Sequence, residues 1–232
     1  ADSLNRLVLA ADRARRGAGH PAVAEDLINL GATQFERGNY AEAEEYYRQA
    51  LAINRAWYGE DHHAVAANLT MIGRAQIRAL RWEDAVGALE EALAIRERVF
   101  GPDHPNVAST VNERGTGALR RERFDEPERH YLRANAIYRA TYGDRHYLVG
   151  ITLSNLGSVG MGRQDNAAAE RYLRQAVALL TEALGPDHSS VGIARTKLGR
   201  ALLRQGAYRE AIEESAAGYQ ILGKQASPAM NF

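Results

Sequence analysis

Histidine is the side chain in this sequence best able to bind a metal or move a proton, and its placement is regular. His20, His62, His104, His146 and His188 stand 42 residues apart. Neutral imidazole binds zinc at about 2.0 to 2.1 Å, so the phasing raises a metal hypothesis. Geometry opposes it, because a helix is about 10 Å across and equivalent positions in successive units stand too far apart to share one ion. His62 and His63 are adjacent rather than spaced for one helix face, and His130 is isolated. Each phased histidine is therefore expected to cap or pack the start of a helix, and neither metal nor cofactor is expected. The chain has no cysteine, which removes thiolate sites and disulfides, and it lacks His-Glu-x-x-His, Gly-x-Ser-x-Gly and a P-loop. The acidic pairs Glu44-Glu45, Glu90-Glu91 and Glu213-Glu214 read as solvated helix surface rather than general acids, so no enzyme is expected.

Basic residues offer the other chemistry. There are 29 basic and 29 acidic residues, and only two of the basic ones, Lys197 and Lys224, are lysines. Zero net charge argues against binding nucleic acid through bulk charge, and no aromatic residue is expected to interleave with the basic ones on the helix face that carries them. Lys197, Arg200 and Arg204 are spaced i, i+3 and i+7, one cationic helix stripe, and Arg74 and Arg78 are i and i+4. Across the repeats, one row reads Glu36, Arg78, Arg120, Gly162 and Arg204. The row a turn earlier reads Ala32, Arg74, Thr116, Ser158 and Arg200, and the one before it Asn29, Met71, Glu113, Asn155 and Lys197. Arginine pairs bidentately with carboxylates, and asparagine offers both a donor and an acceptor to a peptide bond. Asn112 stands one place before Glu113 and could substitute for it.

The elements that must position these groups follow the same interval. Gly31, Gly73, Gly115, Gly157 and Gly199 repeat every 42 residues, as do Ala43, Ala85, Ala169 and Ala211, with Pro127 in the remaining place. Such self-similarity signals a solenoid, read as one continuous array. Ser3 to Arg16 is an orphan half-repeat. In the first full unit, Val23, Leu27, Leu30 and Phe35 stripe a first helix, and Tyr40, Ala43, Tyr47, Ala50 and Leu51 stripe a second. Asn39 with Glu42 predicts a capping box. Gly31, Ala43 and Ala50 are small enough for close helix approach. The third unit is worn: Arg114 replaces Leu30, Ile72, Leu156 and Leu198, so it must snorkel or find a partner. Gly157, Gly160 and Gly162 are expected to weaken their helix by roughly 1 kcal/mol each. The start at Ala1, inside a helix and without an initiator Met, reads as an excised fragment.

The pattern Gly31-x(6)-Gly38-x-Tyr40-x-x-Ala43-x(6)-Ala50 resembles the tetratricopeptide repeat, and the Gly-x-Asp-His-Pro junctions resemble its kinesin-light-chain-type variant. The resemblance implies an all-α, right-handed superhelical solenoid of antiparallel helix pairs. It divides the chain into a truncated repeat at 1–19, five repeats at 20–222 and a tail at 223–232. It also implies that first helices line a concave groove that holds a peptide or partner segment. Asn29 and Asn155 match the family's backbone-holding asparagines, whereas Met71, Glu113 and Lys197 depart from them. The expected peptide-binding set is Asn29, Arg74, Arg78, Asn112, Arg120, Asn155, Lys197, Arg200 and Arg204, with a ligand of acidic character. A further resemblance, of Gly218-Tyr-Gln-Ile-Leu222 and Lys224-Gln-Ala-Ser-Pro228, is to the repeat arrays of bacterial receptor-like serine/threonine kinases. It implies the alternative of a regulatory or oligomerisation region of a larger signalling enzyme, homodimerising through an exposed terminal repeat. The expected setting is cytoplasmic, without nucleic acid or membrane insertion.

Overall fold

Apolar stripes at helical spacing, separated by Gly-rich breaks, dictate helices, and helices are what form. The computed structural model describes residues 2–120 and 124–226, and among these every regular element is an α-helix. They are α1 (Asp2–Arg16), α2 (Pro21–Glu36), α3 (Tyr40–Tyr58), α4 (His63–Arg78), α5 (Trp82–Phe100), α6 (Pro105–Arg120), α7 (Asp125–Tyr142), α8 (Tyr147–Gly162), α9 (Asn166–Leu184), α10 (Ser189–Arg204) and α11 (Tyr208–Ala226). Even-numbered helices are the first, and odd-numbered ones the second, of each repeat. None of them is long and apolar enough to cross a membrane. The chain divides into two compact units, 1–121 and 122–232. The division falls in the worn third repeat. α11 runs four residues past the expected boundary at Leu222, because nothing before Pro228 forbids helix.

The phased histidines start the first helices. In each of the five, Nδ1 accepts the backbone N–H two residues on, at 3.1 Å from Ala22, 3.2 Å from Ala64, 3.1 Å from Asn106, 3.4 Å from Leu148 and 3.1 Å from Ser190. The imidazole thus does the work usually given to Ser, Thr or Asp at an N-cap. Three of them also stack on the ring that ends the preceding helix: Tyr58 on His62 at 4.1 Å, Phe100 on His104 at 4.5 Å and Tyr142 on His146 at 4.4 Å.

Protonating Nδ1 would turn this acceptor into a donor facing an N–H. Burial, and then the neighbouring His63, hold the His62 imidazole below its ordinary pKa. The unfolded chain therefore takes up the proton first, so the cap's contribution is complete above the ordinary value and is lost as pH falls through the folded one. Denaturant titrations between about pH 7.5 and about pH 5 should show stability falling with acid. His62→Asn, which keeps an acceptor without a titrating group, should flatten that slope; an unchanged slope would rule the cap out as its source.

The predicted capping box at Asn39 does not form: Asn39 makes no side-chain cap bond. Its Nδ2 donates instead to Gln34 Oε1 at 2.9 Å, because the buried Gln34 carbonyl otherwise lacks a donor. The expectation of close approach is met at the phased glycines. A Cβ on Gly31 would lie 2.4 Å from the Tyr47 ring, one on Gly73 2.7 Å from Leu89 and one on Gly157 2.5 Å from Leu173. Gly157, Gly160 and Gly162 are thus sites of helix contact as well as sites of weak helix propensity. Arg114, half-buried, finds its partner in Glu90 at 3.1 Å.

Glu44 corrects the reading of the acidic pairs as solvent-facing. It is buried, and its carboxylate accepts from Arg48, from Gln76 Nε2 at 2.9 Å and from Arg81. The first helix of the next repeat packs over its place on α3, which no single-helix pattern reveals.

Candidate functional site

In the first unit, first helices present exposed positions side by side, and two arginines mark the place. Arg74 and Arg78 sit one turn apart on α4, because their spacing puts both on the face opposite the buried Val65, Leu69 and Ile72. Both guanidinium groups lie over the Phe35 ring of α2, at 5.5 and 5.9 Å from its centroid, and Arg78 also lies 5.5 Å from the Tyr40 ring. Arg78 donates weakly to the Tyr40 hydroxyl at 3.3 Å. Arg74 reaches Glu113 of α6 at 3.5 Å. Burial raises the Glu113 carboxyl above its ordinary pKa, while Arg74 and Arg78 pull it back. Beside the pair opens a cavity of about 130 Å³ lined by Ala32, Phe35, Glu36, Tyr47, Met71 and Arg74. The surface is a mixed one: two cations fixed on aromatic faces, one counter-charge, and an apolar hollow between α2 and α4.

Phe35, Tyr40 and Glu113 had not been counted in this site. Phe35 had been read as part of the buried stripe, and its signal is an aromatic ring where Ile77 and Met161 stand as buried aliphatics. The expectation that no aromatics interleave with the basic residues fails here for the same reason: Tyr40 belongs to a different helix, brought in by the turn. Their rings, however, already carry guanidinium groups. Of the other expected residues in this unit, Asn29 is exposed and its carbonyl accepts from Thr33 Oγ1 at 2.9 Å. Asn112 is half-buried and its carbonyl accepts from Thr116 Oγ1 at 3.2 Å. The side chain of Arg120 lies outside the described residues.

In the second unit the cationic stripe is split by its partners. Lys197 Nζ donates to Ser154 Oγ at 3.2 Å and to the Ser154 carbonyl at 3.4 Å. Arg204 donates to the Met161 carbonyl near the end of α8 at 2.7 Å, beside the Gln164 N–H that donates to the same oxygen at 3.3 Å. Both tie α10 to the previous repeat, as inter-repeat contacts that a one-helix stripe cannot reveal. Arg200 is exposed, at the rim of a hollow of about 440 Å³ on the outer face of α10 and α11. Asn155 is half-buried on α8.

The tetratricopeptide repeat family profile matches residues 1–56, 27–98, 77–134 and 161–222. Among solved structures, BtubC (BKLC) from P. vanneervenii is 18% identical, with 100% of this chain and 93% of that chain covered and a TM-score of 0.77. A putative kinesin light chain with nearly identical TPR-like repeats from Podosopora anserina is 22% identical, with 90% and 99% covered and a TM-score of 0.68. A Rap protein complexed with competence and sporulation factor is 15% identical, with 97% and 66% covered and a TM-score of 0.75. A comparison with curated protein sequences gave no match.

Proposed function

This chain belongs to the tetratricopeptide repeat family, and from that premise we propose that it is a non-enzymatic scaffold that holds a peptide or protein segment on its first helices. The observation that carries the reading is the Arg74–Arg78 pair. Two exposed guanidinium groups are held one turn apart on Phe35 and Tyr40, so little rotamer freedom is lost when they meet a ligand. Glu113 occupies one side of Arg74, which leaves room for a second carboxylate and favours acidic segments. Within the first unit Asn29 and Asn112 stand on the first helices flanking the pair; in the second unit Asn155 and Arg200 stand on first helices of their own, where Lys197 and Arg204 act as tethers to α8. The Rap protein solved with competence and sporulation factor supports the reading by showing that a chain of this fold binds a partner.

Fluorescence polarisation with acidic, neutral and basic peptide pools tests it. Acidic peptides should bind selectively, and Arg74→Glu with Arg78→Glu should weaken them about tenfold or more, with increasing salt acting in the same direction. Equal weak binding of all pools by both proteins would sink the reading. Arg204 is a poor choice for this test, since replacing it also removes the tether between α10 and α8.

One observation favours a second role. Leu203, Ile212 and Tyr219 are exposed together on the outer face of the last helix pair, which suits a regulatory region that self-associates through its terminal repeat.

A further inference from the structure

Glu113 stands where the other repeats carry no acid: the residues in its register on the other first helices are Asn29, Met71, Asn155 and Lys197. Stability does not account for it. Its side chain is only 22% exposed, burial works against its charge, and its ion pair with Arg74 Nε is loose at 3.5 Å. A half-buried carboxylate held by one long contact gains little from that contact and is penalised for leaving water. What it does change is the field at the arginine pair.

Arg74 faces Glu113 through Nε, and Arg78 directs Nε and Nη2 to the Tyr40 hydroxyl at 3.4 and 3.3 Å. Among the described residues, the Nη1–Nη2 edge of Arg74 and Nη1 of Arg78 are left for a ligand. These donors suit a carboxylate, with its two oxygens, and equally a phosphoryl group, with its three. Donor geometry therefore does not separate the two ligands, and charge has to. Two guanidinium charges stand against Glu113 and against Glu36 on the rim of the hollow of about 130 Å³. Glu36 is exposed, so water and salt screen it, whereas the half-buried Glu113 is screened much less. The pair is left with roughly the charge of one cation. That balances a carboxylate but not a phosphoryl group, which brings about −1.5 to −2 near neutral pH.

Resting on the reading of Arg74 and Arg78 as the ligand contact, we propose that Glu113 is the specificity-determining residue of that site, making it accept carboxylate side chains and reject phosphorylated ones. Its repulsion acts on each negative charge brought to the pair, and so weighs about twice on a phosphoryl group. Phosphorylation of a partner segment therefore does not create a ligand for this site.

Fluorescence polarisation at pH 8 tests this, with two peptide pools that are identical except for glutamate in one and phosphoserine in the other. That pH favours the ionised form of Glu113 against the upward pull of burial. Wild type should bind the glutamate pool at least as tightly as the phosphoserine pool. Glu113→Gln, which keeps the shape and removes the charge, should strengthen binding of the glutamate pool about threefold and of the phosphoserine pool about tenfold, inverting the order. Glu113→Asn, which installs the side-chain type of Asn29 and Asn155, should act in the same way. In thermal melts followed by circular dichroism both variants should stay close to wild type; a marked loss of helicity or melting temperature in both would make Glu113 a structural residue and overturn the assignment. A wild type that prefers phosphoserine, or a preference that neither variant changes, would overturn it too. The reading of the arginine pair survives those results if Arg74→Glu with Arg78→Glu still loses the glutamate pool. A wild type that binds neither pool overturns that reading, and the role of Glu113 with it.

Discussion

Gly160→Ala should destabilise the second unit by about 2 kcal/mol, whereas Gly87→Ala should stabilise the first by roughly 0.5 to 1 kcal/mol. Both glycines are inside helices, and helix propensity alone favours alanine at each by about the same amount. Their surroundings decide the sign. A Cβ on Gly160 would stand 2.9 Å from the backbone nitrogen of Ala169, 3.1 Å from its Cα and 3.1 Å from the Asp165 carbonyl oxygen. These are main-chain atoms, fixed by the bond that Ala169 N–H donates to the Asp165 carbonyl at 3.0 Å and by the one that Asp165 N–H donates to the Gly160 carbonyl at 2.9 Å. No rotamer change relieves the contact, so α8 and α9 must move apart. At Gly157 the neighbour is the fully buried Leu173, whose Cγ would stand 2.5 Å from the added methyl, so the alanine variant there should destabilise as well. Gly87 is exposed on α5 with nothing within 4 Å of the added methyl. Chemical denaturation of the three variants beside wild type checks the order; equal midpoints for Gly160→Ala and Gly87→Ala would contradict it.

Glu44→Val should cost about 2 to 3 kcal/mol, and most of that should return in the double variant Glu44→Val with Gln76→Ala. The single change removes the acceptor of Gln76 Nε2, whose side chain is 1% exposed and cannot turn to water. Arg48 and Arg81 are about half-exposed and can be rehydrated, so their loss matters less. The next junction supplies the model for the rescue. Val86 and Ala118 stand 42 residues after Glu44 and Gln76, so this protein itself carries an apolar version of the same pair. Replacing both polar partners leaves no unsatisfied amide, which is why the double change should lie within about 1 kcal/mol of wild type. An additive double variant would show that Gln76 is not what makes Glu44 costly to lose.

The repeat, the helix pairs, the histidine caps and the need for small residues at the phased glycines were all legible in the sequence. Each is set by residues within one or two turns of each other, or by an interval that recurs, and local geometry fixes what such residues do. The candidate site was legible only as a list of first-helix positions. Arg74 and Arg78 could be placed on one face by spacing, but the rings beneath them come from α2 and α3, and the carboxylate beside them from α6. Lys197 and Arg204 form a stripe on a helical wheel; what each one touches is settled by α8, about forty residues earlier in the chain.

What the sequence determined by itself was the period, the all-α class and the offset at which every first helix begins its buried footprint, since these follow from the 3.6-residue turn and from where Gly, Pro and His interrupt it. Only the tertiary structure decided that Glu44 is buried, that Asn39 faces backwards, that Lys197 and Arg204 are tied to α8, and that the chain separates into two units at the third repeat. The physical reason is common to all four. Burial and pairing depend on the neighbour that stacks on a helix, and in an array of similar helices that neighbour's side chains differ from junction to junction while the backbone arrangement stays the same.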